Sequence, residues 1–493
     1  MEKELAFSLP GAKLTAEYVR GVLDMIFDPT NTVRKPGSFS FAGQVKAEGA
    51  ACLCGEIFAA FWRNFSFGKS ALWVTETDGF VFRTGNVREL PREGCACTVN
   101  VTPEGVCVAA DSEKELIRGF MTLLDRIYAV EDGKELRLAI DCCEIREKAL
   151  VANRMLHYCI FPETQLWELQ RMIRLCAALK YTHIVLEFWG TLQYDCLREL
   201  AWPGAYTKEQ IRPLIREARE LGLEIIPMFN HWGHASAGRV MHGKHVVLDQ
   251  NPALQPLFSE DGWCWNIRSR RVRDLLRQIR AELTELCGGG EYFHIGCDEA
   301  YNFDLTQEES MDAICAFING IADEMKEQGR RILVWGDMFL CRYPHYIPEN
   351  RYACNAPDAR CEAYLLEHLS RDVIVADWQY WAKKAPVETS AVFTRAGFDC
   401  ILCPWDRGMD ELRSCLTTAG EQKLFGLMHT TWHTLTQGMP YVTMAALGCF
   451  EDVSGKRLNW LRTQTAALLR KVSPAEGDYE KAGWAKNQIG VIT

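Results

Sequence analysis

Apolar and polar positions change rhythm once along this chain, near residue 150. Before that point, ALWVTETDGFVFRTG (from Ala71) and ACTVNVTPEGVCVAAD (from Ala96) alternate apolar and polar residues, as strands with one buried face do. Pro103-Glu104-Gly105 interrupts the second run with a turn tripeptide, so a hairpin is expected there. Ser112, with Glu113 and Glu115 close behind, marks a helix start, and IRGFMTLLDRIY continues it with amphipathic spacing. Strands and helix together predict a small α+β domain over residues 1–148.

From Arg154 onward, short apolar runs alternate with longer helical stretches, the pattern of parallel βα units. The runs are RMLHYC (from Arg154), THIVLEF (Thr182), LEIIPMF (Leu223), EYFHIG (Glu291), RILVWG (Arg331), DVIVAD (Asp372), FDCILC (Phe398) and LFGLMH (Leu424). Segments such as TKEQIRPLIREARELGL and SRRVRDLLRQIRAELTELCGG fall between them, the latter ending on glycines suited to a helix C-terminus. Eight such units over about 300 residues predict a closed (β/α)8 TIM barrel across residues 149–493, ending in a helical tail. An open doubly wound sheet is the competing fold, weakened because no GxGxxG turn follows an early strand.

In a barrel of this kind the C-terminal strand ends face the active-site mouth. Here those ends read His157, Glu187-Phe188-Trp189, Asn230 to His234, Asp298-Glu299, Trp335-Gly336-Asp337, Asp377 to Tyr380, Trp405-Asp406 and Thr431-Trp432. Tryptophan recurs among them, and its flat face suits the axial hydrogens of a pyranose. Asp298 and Glu299 are the candidate chemistry. Neighbours in an extended strand point to opposite sides, so both reach one site only where the strand breaks, and Gly296 permits such a break. Adjacent carboxyl groups suit a reaction in which the substrate supplies its own nucleophile, one orienting it and the other protonating the leaving oxygen.

Composition narrows the field. With 65 acidic against 55 basic residues the net charge is −10, and no block of like charge suggests a nucleic-acid partner. Neither a signal-peptide pattern nor an apolar run of membrane-spanning length is found, so a cytoplasmic protein that engages no membrane is expected. The 21 cysteines fall in no regular framework and read as buried thiols. No metal or other cofactor is called for.

His294-Ile295-Gly296-Cys297-Asp298-Glu299 resembles the H-x-G-x-D-E signature of the family 20 glycoside hydrolases, the β-N-acetylhexosaminidases. IIPMFNHWGHAS, YFHIGCDEAY, VWGDM and DWQY look closest to the intracellular hexosaminidase D type. The resemblance implies retaining, exo-acting hydrolysis of a terminal β-linked N-acetylglucosamine or N-acetylgalactosamine on a glycan or glycoconjugate. It implies that Asp298 holds the 2-acetamido group and that Glu299 is the general acid and base. Trp335, Trp378 and Trp432 would wall the sugar, Tyr380 would donate to the acetamido oxygen, and Arg154 would grip sugar hydroxyls. His234 and His294 would support the acidic pair. Asn230, Glu187 and Thr434 depart from the better-known members, and Asp406 is a candidate replacement for hydroxyl binding. Two other readings stand: a sugar-binding barrel without turnover, and a metal-dependent hydrolase using His231, His234, His294 and Asp298.

Overall fold

The computed structural model describes residues 32–473 except 49–50, 67, 69, 74–78, 85–94, 133–134, 237–245, 344–345 and 433–437. Thr434 and the ends of both expected domains therefore lie outside the described residues.

Strands β1 (Thr32–Phe41), β2 (Gly43–Glu48), β3 (Ser70–Trp73), β4 (Phe80–Thr84), β5 (Cys97–Thr102), β6 (Gly105–Ala110), β7 (Tyr128–Asp132) and β8 (Glu135–Glu147) form one sheet. Its order is β1-β8-β5-β6-β4-β2-β3, with β7 also paired to β8. The expected hairpin is β5–β6, closing at Thr102 opposite Gly105. The helix Glu113–Leu124 follows, and the Ser112 side chain accepts the N–H of Glu115 at 3.3 Å. Capping of this kind contributes about 1 kcal/mol.

Strands β9 (Asn153–Cys159), β10 (His183–Glu187), β11 (Glu224–Met228), β12 (Tyr292–His294), β13 (Arg331–Trp335), β14 (Ile374–Trp378), β15 (Asp399–Cys403) and β16 (Gly426–His429) close into a parallel barrel, β16 pairing back to β9. Each overlaps one of the eight apolar runs, and closure rules out the open sheet. The period of two sorts the side chains. Met155, Val185, Ile226, Leu333, Ile374, Ile401 and Met428 fill the interior, while Leu156, Ile184, Ile225, Val334, Val375 and Leu402 belong to the larger core outside it.

Burial of polar groups fixes where the sheet meets the barrel. Lys180, just before β10, donates to Glu147 Oε1 at the end of β8 over 2.6 Å, and Thr122 donates to Glu147 Oε2, also over 2.6 Å. Both charges are buried, and Lys180 Nζ also stands 4.3 Å from the centre of the Phe450 ring. Arg118 reaches Gly222 O, just before β11. The sheet thus docks on the N-terminal end of the barrel and leaves the opposite end to chemistry.

Candidate active site

The acidic pair owes its geometry to a strand that stops early. After His294 the backbone turns through positive φ at Gly296 (67°), Cys297 (78°) and Glu299 (50°). Left-handed conformations at non-glycine residues cost about 1–3 kcal/mol each and persist only where the surroundings enforce them. The surroundings here are Asn230, at the end of β11. Its Oδ1 accepts Cys297 N–H at 2.7 Å and its Nδ2 donates to Asp298 Oδ1 at 2.8 Å. Gly296 fits so closely that a Cβ there would lie 2.2 Å from Asn230 Oδ1; one on Gly233 would lie 2.0 Å from the Asp298 carbonyl oxygen.

The break brings both carboxylates to one histidine. His234, itself at φ 55°, places Nε2 3.2 Å from Asp298 Oδ2 and 3.2 Å from Glu299 Oε2. Its ring packs on Trp263 at 4.3 Å, and Trp263 donates its indole N–H to Glu299 O at 2.7 Å. Asp298 is buried; the Glu299 side chain keeps 29 % of its surface exposed. Tyr301, partly exposed, donates to Glu299 Oε1 at 2.6 Å, and partial burial together with that bond raises its phenol pKa. One carboxyl group therefore forms the floor and the other borders solvent, an asymmetry that suits an orienting role and a proton-transfer role.

A third carboxylate, Asp337, had no role in the sequence reading although it lies two residues past the end of β13. It accepts three hydrogen bonds: Glu299 N–H at 3.0 Å, Asn355 Nδ2–H at 2.7 Å and the Trp378 indole N–H at 2.9 Å. Burial, then the nearby Asp298 charge, pushes its pKa up to about 7. Its signal was available: an acid at a barrel strand end. Tyr301, Trp263 and Asn355 lie in connecting loops and carried no such signal.

Aromatic groups form the rest of the mouth. Trp378 and Tyr380 pack at 4.8 Å, and the Trp432 indole donates to the Tyr380 hydroxyl at 2.7 Å. Trp335 is wholly buried between His294 (4.4 Å) and Trp432 (5.9 Å). His294 Nδ1 accepts Gly296 N–H at 3.0 Å, so this ring supports the break from below. Glu187 also lies beneath. His157 Nε2 and Cys159 Sγ each stand 3.2 Å from its Oε2, and the His157 ring packs on Trp432 at 4.5 Å.

One expectation and one alternative reading need correction. Arg154 does not face the mouth. It is the second residue of β9, at the end remote from Asp298, and its buried guanidinium donates to the carbonyls of Lys180, Val151 and Ala152 while packing on Phe450. Nor do His231, His234, His294 and Asp298 gather into one ligand set. His231 turns outward against Phe293, its Nδ1 2.6 Å from Phe229 O, and His294 faces Trp335. Among the described residues, metal-ligand spacing occurs at His157, Cys159 and Glu187 instead. Asp406 follows β15 and is half-buried, with an electrostatic effect on Tyr441.

Residues 186–408 match the family described as Glycosyl hydrolase family 20, catalytic domain. A curated relative, lacto-N-biosidase of Bifidobacterium bifidum, is 21 % identical over 187 residues, covering 34 % of this chain and 16 % of the relative. The chain thus spans about a sixth of that relative's length. Among solved structures, exo-β-N-acetylglucosaminidase of Vibrio harveyi in complex with N-acetylglucosamine superposes with a TM-score of 0.66 at 15 % identity, covering 91 % of this chain and 77 % of that one. The chitobiase of Flavobacterium johnsoniae gives 0.68 at 16 %, covering 92 % and 73 %. The N-acetyl-β-hexosaminidase of Streptomyces plicatus gives 0.64 at 16 %, covering 94 % and 96 %. At such identities the likeness shows the shared fold. The family match runs from β10 past β15, so the likeness to a glycoside hydrolase catalytic domain falls within the barrel.

Proposed function

We propose that this chain is a retaining exo-β-N-acetylhexosaminidase that uses the substrate's 2-acetamido group as nucleophile. The observation that carries the reading is the acidic pair held on one histidine, with Asp298 buried and Glu299 partly open. Asp298 accepts the acetamido N–H and so directs the acetamido oxygen at the anomeric carbon. As that C–O bond forms, the glycosidic C–O bond breaks and Glu299 gives its proton to the leaving oxygen. Glu299 then takes a proton from water, whose oxygen attacks the anomeric carbon and reopens the oxazolinium ring. Two displacements return the original anomeric configuration.

Trp378 and Trp432 provide apolar faces for the sugar, and Tyr380, whose oxygen already accepts from Trp432, has its own O–H to give the acetamido oxygen. The same reading takes residues 1–148 as a non-catalytic domain and 149–493 as the catalytic one. It takes the chain as cytoplasmic and closest to the hexosaminidase D type, supported by its motifs and by 21 cysteines that are all free thiols, as a reducing compartment keeps them. Among the described residues no helix is long and apolar enough to cross a membrane.

The test is turnover of a chromogenic β-N-acetylglucosaminide and its galacto epimer, with product configuration followed by NMR. Release of the β-anomer first, abolished by Glu299→Gln, is expected. Binding of N-acetylglucosamine without turnover of any β-linked substrate would replace the reading with a sugar-binding one.

A further inference from the structure

Many cations of this molecule are paired with carboxylates: Arg277 and Arg280 with Glu324, Arg331 with Asp399, Lys208 with Asp195 and Glu282. Arg407 and Arg351 are not. Neither has a carboxylate within 4.0 Å among the described residues, and both are exposed. Each is fixed on an aromatic face instead. Arg407 Cζ lies 3.9 Å from the centre of the Trp405 ring and 5.7 Å from that of Trp381, and Arg351 Cζ lies 5.1 Å from Trp381. A backbone bond from Arg351 N–H to Trp381 O, 3.3 Å long, locks the second contact in place.

These rings belong to the sugar-facing layer. Trp405 packs on Tyr380 at 5.3 Å, and Trp381 packs on Tyr380 at 5.8 Å and on Trp378 at 6.4 Å. Two guanidinium groups therefore stand one aromatic ring away from the proposed pocket. Their sign runs against their setting, a chain of net charge −10 whose mouth already holds Asp298, Glu299, Asp337 and Asp406. A guanidinium lying on a ring still offers its N–H edge, a planar fork that matches paired anionic oxygens.

We infer that Arg407 and Arg351, gathered around Trp381, form a subsite for an anionic substituent of the glycan: a sulfate or phosphate ester, or a carboxylate. The inference rests on the hexosaminidase reading and names its substrate class. The group is carried on the sugar in the pocket or on the residue next to it, and paired probes separate the two.

The experiment compares kcat/KM for 4-nitrophenyl N-acetyl-β-glucosaminide and its 6-sulfate, and for N-acetylglucosamine β-linked to glucose and to glucuronate. For at least one pair the anionic substrate should match or exceed the neutral one. Arg407→Gln and Arg351→Gln should each lower the anionic-to-neutral ratio about tenfold, the size of one charge-assisted hydrogen bond, and Arg407→Lys should recover part of it. Added salt should lower the wild-type ratio as well. An identical ratio in wild type and the double variant, or wild-type ratios below about one hundredth for both pairs, overturns the subsite. Absence of turnover on every substrate, neutral and anionic, overturns the hexosaminidase reading instead. Calorimetry of N-acetylglucosamine and its 6-sulfate with wild type and double variant then reads the same ratio from binding.

Discussion

The two ends of the barrel handle buried charge in opposite ways. At the N-terminal end, Lys180 meets Glu147, Thr122 completes the carboxylate, and Arg154 spends its donors on three carbonyls. Opposite charges are matched and every contact is between parts of the protein. At the mouth, three carboxyl groups crowd together with His234 between two of them, on a backbone at positive φ. Like charges held close and a strained chain are unfavourable by themselves, and they are tolerated where chemistry uses them. One end thus has its charges matched while the other keeps the crowded charge that a reaction can use, so substitutions should separate along that line.

The sharpest break is at Glu299. On the proposed function, loss of the general acid in Glu299→Gln should cost about 10²–10⁴-fold in kcat/KM, with an unchanged melting temperature. A melting shift as large as that of the N-terminal variants would erase the contrast. The mirror experiment is Lys180→Met, which strands a buried carboxylate and should cost about 3–5 kcal/mol in urea unfolding while kcat is preserved. Combining it with Glu147→Gln should recover much of that loss, since no uncompensated charge remains.

Asp337 sharpens the comparison through pH. Its folded pKa of about 7 exceeds the unfolded carboxyl value of about 3.9. The folded state then binds the extra proton between those values, so the contribution to stability is fully present below about pH 4 and is lost as pH rises through about 7. The melting temperature of wild type should therefore fall relative to Asp337→Asn across that window. Parallel curves for the two proteins would refute the shift. The smallest expected effect is at Ser112→Ala, about 1 kcal/mol from the lost helix cap, with kinetics untouched.

How much of this was legible beforehand depended on whether the signal was local. The eight barrel strands announced themselves because each is a short apolar run with its own flanks, and the hairpin at Gly105 because a turn tripeptide breaks an alternating pattern. The acidic pair was legible through Gly296 and the strand end. Arg154 misled because a strand's first and last residues are equally near its middle in sequence yet face opposite ends of the barrel. Arg154 stands at the N-terminal end of β9, where the carbonyls of Val151, Ala152 and Lys180 and the Phe450 ring hold it. Asp337 stood at a strand end, but its role lies in Glu299 and Trp378, partners that only folding brings together; Tyr301 is two residues from Glu299 in a loop with no pattern to mark it.

Gly233 and Gly296 decide how such an enzyme can be diversified. Position 233 has no room for a methyl group against the Asp298 carbonyl, and 296 none against Asn230, so random libraries that include them would spend most members on misfolded mouths. The rim around Trp381 and Arg407 is outward-facing and makes none of these contacts. A search for new substrate preferences has its freedom there, with the reacting centre inherited intact by every variant.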